Sequence, residues 1–225
     1  MSLYRAGTGI WRWANIGTSF DTPGGANYLD GYNPYWRLTW NDAWGPHNLM
    51  LGTFGMVAKV YPNNTVRSGA TDKFTDYYLD AQYQYLLEGH ALTVRGTYYY
   101  ERQNWDGSYP RGNSSIASGN LNGFTLSATY ALDNRWTFSA AYSQSNGSAN
   151  AALYAVTGPA GNTLSATPNT NNYVLQANYQ PTQNVKLQLQ YSGFTKFKGL
   201  TSNIDGLGRS PADNNTLWLN LFFAL

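Results

Sequence analysis

The sequence contains no cysteine. Disulfides, thiolate zinc sites and haem attachment through CxxCH are therefore excluded. Charged residues make up only 12% of the 225 residues, whereas soluble domains usually have about 25%. Long apolar runs are also absent, because no stretch approaches the roughly 18 uninterrupted apolar residues that a membrane helix needs. The sequence thus excludes a helical membrane protein and is unusual for a soluble one.

Groups suited to catalysis or to nucleic-acid binding are scarce. The two histidines, His47 and His90, lie beside predicted short turns, there is no GxSxG motif, and no spacing suggests a Ser/His/Asp triad. A net charge of +2 is too small to indicate a nucleic-acid partner. We therefore expect neither an enzyme nor a cofactor, metal or nucleic-acid site.

Aromatic and neutral polar residues are abundant instead. Aromatics make up 16% of the chain and include 19 tyrosines, yet the mean hydropathy is only -0.45 because Asn, Gln, Ser, Thr and Gly replace the charges. Few charges combined with many neutral polar residues suit a β-barrel with one face toward lipid and the other toward a wet lumen.

The last eleven residues, NTLWLNLFFAL, alternate strictly. Successive side chains of a strand point to opposite faces, so the sequence predicts an apolar row on one face of this segment. That row is formed by Leu217, Leu219, Leu221, Phe223 and Leu225. In a soluble protein such a strand would be an aggregation-prone edge, whereas in a closed membrane barrel the apolar row faces hydrocarbon.

Similar segments of alternating polarity recur along the chain. We predict ten strands in one domain, residues 1–225, and an all-β fold: a transmembrane antiparallel up-and-down β-barrel. The first strand covers about Tyr4 to Phe20, the second Pro34 to Trp40 and the third Asn48 to Val60, and Asn41 to Pro46 is a turn. In the third strand Met50, Phe54, Met56, Ala58 and Val60 share one face. Short turns alternate with long loops, as at the two mouths of such barrels.

Alternation does not by itself say which face is inside, because a soluble β-sandwich shows the same two rows. Three features favour the barrel. The runs are longer than the five or six residues usual for a sandwich strand. Tyr and Trp concentrate near the ends of the apolar rows, as in interfacial girdles. The opposite rows carry Ser, Thr and Gln rather than the Lys and Glu of a solvated surface.

Six charged residues on the polar rows are candidate lumen-lining residues: Arg37, Asp76, Asp80, Arg95, Glu101 and Lys186. In a narrow ten-stranded barrel they would form ion pairs within a filled lumen. In a wider barrel they would form a charged constriction that selects ions or small polar solutes.

Two loops have alternative interpretations. We expect Asn146 to Asn171, which carries no charge, to be an exposed mobile loop, with folding into the lumen or packing on a partner as alternatives. The loop TSNIDGLGRSPADNN places Asp205 and Asp213 among Asn and Gly but lacks EF-hand spacing, so an ordinary turn-rich loop is favoured over a calcium site.

Several stretches carry a resemblance to a known family: NPYWRLTW, WGPHNLMLGTFGMVAKVYP, TDYYLDAQYQYLLEGH and DGLGRSPADNNTLWLNLFFAL. They resemble porin-like proteobacterial proteins, some of which are encoded near c-type cytochromes. The ending is similar to the C-terminal strand of bacterial outer-membrane barrels, which typically finishes on an aromatic residue, although Leu225 is the last residue here.

This resemblance implies a bacterial outer-membrane location, contact with membrane lipid, and recognition of the C-terminal strand by the outer-membrane assembly machinery. It also implies a second possible role, a barrel that sheathes a partner such as a multihaem cytochrome, and it is compatible with a homo-oligomer.

The opening MSLYRAGTGIWRWANIG lacks the regions of a secretory signal. We therefore expect either a mature form or the C-terminal part of a larger barrel. The function that the sequence favours is a porin-like channel for passive diffusion of ions or small polar solutes. A hydrolase at the outer mouth of the barrel is the least favoured alternative.

Overall fold

A computed structural model describes residues 1–4, 28–62 and 68–224. The predicted first strand, Tyr4 to Phe20, lies outside these ranges except for Tyr4, which ends a three-residue strand, β1 (Ser2–Tyr4).

Nine long strands follow one another as an antiparallel meander within the described ranges, each pairing with the next long strand along the chain. These strands are β3 (Asn33–Trp44), β4 (His47–Tyr61), β5 (Asp72–Leu87), β6 (His90–Asn104), β7 (Ser118–Leu132), β8 (Trp136–Gly147), β11 (Thr170–Thr182), β12 (Val185–Lys196) and β13 (Thr216–Phe223).

Short elements complete the fold. β2 (Tyr28–Leu29) pairs with the end of β4, and β9 (Val156–Thr157) pairs with β10 (Thr163–Ser165) inside the longest loop. The same loop contains one helical turn, α1 (Ala151–Tyr154), and 3-10 helices cover Tyr109–Arg111 and Pro211–Asn214. No described helix is long and apolar enough to cross a bilayer.

Tight turns join the strands at one end of the sheet and long loops join them at the other. At Asp133 and Asn134 the backbone φ angles are +50° and +55°, a left-handed pair typical of a two-residue hairpin turn. The predicted turn from Asn41 to Pro46 is too long: β3 continues to Trp44, because Asn41 and Asp42 stay in register with β4.

The apolar row of these strands is exposed. Leu38, Leu79 and Leu219 expose 70%, 59% and 76% of their surface. Among the described residues, the buried hydrophobic side chains are Trp105 and Ile204, both in loops. Within the described ranges the sheet therefore has no hydrophobic core of the soluble kind.

This combination defines the class of protein. The chain is an all-β protein with the fold of an antiparallel up-and-down transmembrane β-barrel, and the sandwich alternative is wrong because no second large sheet covers the apolar row in the described ranges. Within those ranges the sheet is open: β1 covers only Asn33, Pro34 and Tyr35 of β3, and the far edge of β13 has no paired strand.

The third predicted strand needs a correction. Met50, Phe54 and Met56 do share a face, but the register places that face on the side of Arg37 and Asp80, not with the exposed row. The exposed row of β4 is instead carried by Leu51, which lies between Trp40 and Ala81. Alternation shows which residues lie together, and β4 has apolar residues on both faces.

Candidate pore-lining site

The strand register assigns all six candidate residues to the face opposite the exposed apolar row, which we call the inner face. Counted from the long loops, Asp76 and Glu101 occupy one level, Arg37 the next and Asp80 the third. Arg95 follows one level further on. Lys186 lies near the short turns on β12, so the structure brings the first four together and leaves Lys186 apart.

Arg37 and Asp80 form an ion pair across three strands. Nη2 of Arg37 donates to Oδ2 of Asp80 at 2.5 Å, and the two side chains expose 38% and 13% of their surface. Gly52 on the intervening strand β4 is the register partner of Asp80, and on the other side it pairs with Thr39, two residues along β3 from Arg37. A Cβ atom at Gly52 would overlap the Asp80 carboxylate. The missing side chain at Gly52 thus gives the ion pair its space.

Aromatic rings continue the level of Arg37 across the inner face. The Arg37 guanidinium carbon lies 5.0 Å from the centre of the Phe54 ring, which stacks on Tyr78 at 4.3 Å with an angle of 5°. The next ring is Tyr99, whose hydroxyl donates to Ser145 at 2.9 Å across the backbone of Gly123. These contacts hold the inner surface in a fixed shape.

The carboxylates of Asp76 and Glu101 face each other directly. The two residues are partners in the β5 and β6 register, an arrangement that is destabilising for like charges. Gln103 donates to Oε1 of Glu101 at 2.6 Å. In the described part of the chain, Oδ1 of Asp76 and Oδ1 of Asp80 are buried without a donor. Negative charge therefore exceeds positive charge at this end of the inner face.

The remaining two candidates have separate partners. Nε of Arg95 donates to Oε1 of Gln82 at 2.7 Å on the neighbouring strand. Nζ of Lys186 lies 4.4 Å from the centre of the Phe222 ring on β13. Both are therefore outside the group around Arg37.

The longest loop is fixed to its neighbour by Asn150, which the sequence did not single out. Its side chain is 1% exposed, donates to Ser114 at 2.7 Å and accepts from the amide and hydroxyl of Ser115, both at 3.0 Å. The expectation of an exposed loop is wrong at this anchor, because the buried amide ties α1 to the loop after β6.

Tyr154, at the end of α1, lies beside the acidic end of the inner face. Burial raises the pKa of its phenol above the ordinary value, and a hydrogen bond with Gln103 opposes this rise. Gln103 in turn donates to Glu101. Tyr154 therefore lies on the inner-face side of the sheet, near Gln103 and Glu101.

A second anchor joins the first residue of β5 to the loop after β6. Asp72 is 3% exposed and accepts from the amides of Gly107 and Ser108 at 3.0 and 2.8 Å and from the Ser108 hydroxyl at 2.5 Å. Trp105 packs edge-on against Phe74 at 5.2 Å. Neither anchor has a sequence signal, because each partner lies more than thirty residues away.

The histidines and the Asp-rich loop have structural partners. Nδ1 of His47 lies 2.7 Å from the Tyr83 hydroxyl, and Nδ1 of His90 lies 2.6 Å from that of Tyr130. Asp205 and Asp213 accept backbone amides of their own loop, from Leu207 and Ser210. No group of three or more His, Asp or Glu residues in the described ranges is arranged to hold a metal ion.

Comparison with known proteins gives distant likenesses. No protein-family model matches the chain, and no curated protein matches it. It is similar to the structure of the outer-membrane expressed OmpT of Vibrio cholerae, with 15% identity, a TM-score of 0.43, and coverage of 84% of this chain and 54% of that one. It is also similar to the NanC porin, with 14% identity, a TM-score of 0.38, and coverage of 88% and 97%. The chain thus spans about half the length of the Vibrio cholerae protein.

Proposed function

We propose that the protein is a porin-like channel of the bacterial outer membrane through which ions or small polar solutes diffuse passively. The observation that carries the proposal is the inversion of the sheet: its exposed row is apolar, and its inner face carries ionised and amide side chains. A bilayer accommodates the first face, and a hydrated passage accommodates the second.

We further propose that the passage prefers cations. On β3 to β6, three successive levels of the inner face in the half toward the long loops hold the carboxylates of Asp76, Glu101 and Asp80 and a single cation, Arg37. Rings of carboxylates lower the energy of a cation in a narrow pore. The position of Tyr154 beside Gln103 and Glu101 supports a constriction at this level.

The basic test is conductance. Purified protein added to planar bilayers is expected to produce discrete current steps, because an open passage joins the two sides. A folded, membrane-inserted protein that produces no steps contradicts the channel proposal.

Cation preference is tested by the double variant Asp76→Asn and Glu101→Gln. Removing two carboxylates from the constriction is expected to lower the cation-to-anion permeability ratio about fivefold to tenfold, as expected from the loss of about 1 kcal/mol of attraction. The ratio is measured from the reversal potential under a KCl gradient.

A matched control removes a carboxylate elsewhere. Asp133→Asn changes a turn at the opposite end, where Asn adopts the same left-handed backbone without strain. Its permeability ratio should equal that of the unmodified protein. Equal losses of selectivity in the two variants would show that the constriction is not where we place it.

The second interpretation is a barrel that sheathes a partner such as a multihaem cytochrome, and it rests on the family resemblance. Copurification of a haem protein from native membranes would support it. We also propose that the chain is not an enzyme, since its histidines are bonded to tyrosines near the short turns. Turnover of a lipid or peptide substrate by the purified protein would contradict this view.

A further inference from the structure

Three cations gather on the outward face of the sheet near the long loops: Lys59, Lys73 and Arg102, which we call the outer cation cluster. Lys59 and Lys73 are direct partners in the register of β4 and β5. Arg102 pairs with Thr75, two residues along β5 from Lys73. Side chains directly opposite lie about 5 Å apart at Cβ, and diagonal neighbours about 7 to 8 Å apart.

The three side chains point away from the inner face. Each is exposed. Glu101 and Gln103, the neighbours of Arg102 along β6, hydrogen-bond to each other on the inner face, so Arg102 projects to the outside. Likewise the carboxylate of Asp72, the neighbour of Lys73, accepts hydrogen bonds from the backbone amides of Gly107 and Ser108.

Among the residues that the structure describes, the cluster has no counter-charge of its own. Like charges directly opposite across a strand pair repel. In the described ranges, the ion pair within 4.0 Å is that of Arg37 and Asp80 on the inner face. No carboxylate oxygen in these ranges lies within 4.0 Å of a nitrogen atom of the outer cation cluster. The nearby Asp30 accepts from the Tyr61 hydroxyl at 2.8 Å, and Asp106 lies exposed in the adjoining loop. An external anion would relieve the repulsion.

The surroundings indicate what kind of anion fits. The next outward level toward the middle of the sheet holds Tyr77 and Tyr100, and the level after it holds Leu79 and Tyr98. Tyr77, Leu79 and Tyr98 expose 53%, 59% and 46% of their surface. The cluster therefore sits at the boundary where an apolar belt gives way to polar loops, the depth of lipid head groups. Lysine and arginine are the usual partners of phosphate.

We propose that the outer cation cluster binds the phosphate-bearing head group of a bilayer lipid, whose acyl chains lie on the belt of Tyr77, Leu79 and Tyr98. The proposal rests on the membrane placement in the proposed function and does not depend on conduction. Charge complementarity favours a phosphorylated lipid, and continuity with the apolar belt favours a lipid over a soluble anion.

The test uses the full chain in phosphatidylcholine nanodiscs, titrated with fluorescent diphosphorylated lipid A as the probe. Binding is expected to weaken about fivefold for each cation removed, in Lys73→Gln and in the triple variant Lys59→Gln, Lys73→Gln, Arg102→Gln. Lys73→Arg, which keeps the charge, should bind as the unmodified chain does. The matched control Arg135→Gln removes a cation at the short-turn end and should leave the affinity unchanged.

Three outcomes would overturn the proposal. The triple variant could bind lipid A as tightly as the unmodified chain, Arg135→Gln could weaken binding equally, or excess inorganic phosphate could displace the probe completely, which would indicate a site for free phosphate. Lys73→Gln alone keeps the test valid if the triple variant does not fold. Conductance in phosphatidylcholine bilayers, measured in parallel, separates this result from a failure of the channel proposal.

Discussion

The absence of a side chain at Gly52 leaves the space in which Asp80 pairs with Arg37. A Cβ atom at this position would overlap the carboxylate of Asp80, which could then no longer reach Arg37. We predict that Gly52→Ala destabilises the folded protein by about 1 to 3 kcal/mol, the cost of overpacking a filled site. The free energy of unfolding is measured by urea titration in lipid vesicles, followed by tryptophan fluorescence.

Gly96 provides the control for this prediction. It also lies inside a strand, and the atom nearest to an added Cβ would be Cδ1 of Leu126 at 3.8 Å, an ordinary contact. Gly96→Ala should change the free energy of unfolding by less than about 0.5 kcal/mol. If the two alanine variants were equally stable, the space at Gly52 would have no part in the ion pair.

The sequence predicted the candidate residues but not their partners. Alternation is enough to place Arg37, Asp76 and Asp80 on polar rows, since it needs only the two-residue period of a strand. Pairing Arg37 with Asp80 requires the register of three strands and the gap at Gly52, and neither follows from spacing. The anchoring roles of Asn150 and Asp72 could not be predicted, because an isolated Asn or Asp among polar residues belongs to no periodic pattern.

Loops are the elements in which the structure differs most from expectation. The longest loop carries no charge and is rich in Gly, Ala and Asn, a composition that suggests mobility, yet Asn150 fixes it to Ser114 and Ser115. The nine long strands of the described ranges were predicted to within a few residues, because their pattern repeats over their whole length. The exposed face was wrongly predicted only for β4, since its apolar Met50, Phe54 and Met56 face inward.

We predict that Asn150→Ala frees this loop. The substitution leaves the amide and hydroxyl of Ser115 without their acceptor, which should lower the free energy of local opening by about 1 to 3 kcal/mol. Hydrogen exchange of the peptides covering α1, measured by mass spectrometry, should accelerate accordingly while exchange in β5 and β6 stays unchanged.

Asn162→Ala is the comparison within the same loop. Asn162 is exposed, and it accepts a hydrogen bond from the amide of Gly158 through its backbone carbonyl, which alanine retains. It should leave exchange at α1 as it was. Similar acceleration in both variants would mean that the loop is mobile regardless of the anchor.

The orientation of the whole sheet rests on its two faces, and the final strand allows a test with neighbouring residues. Leu219 is 76% exposed on the apolar row, and Asn220 lies on the inner face opposite Gln188. We predict that Leu219→Arg costs about 2 to 4 kcal/mol in unfolding from lipid vesicles, the cost of placing a cation in hydrocarbon.

Asn220→Arg should cost clearly less, because the inner face already carries amides and ions. A larger loss for Asn220→Arg than for Leu219→Arg would reverse the assignment of the two faces.

The barrel class itself could be predicted from the sequence, because strand length, aromatic placement and low charge agree. Closure could not, since it depends on which edges meet.

The relative direction of the two edge strands limits how the open sheet can close. Nine long strands alternate in direction, so β3 and β13 both run from the long loops toward the short turns. Two parallel edges of this kind can be joined with antiparallel pairing only through an odd number of intervening strands, of which the one beside β3 runs toward the long loops. β1 already lies against β3 in that rising sense, at Ser2, Leu3 and Tyr4. Its place beside β3 is therefore where an antiparallel seam begins, and a direct junction of β13 with β3 would be the sole parallel pair in an otherwise antiparallel wall.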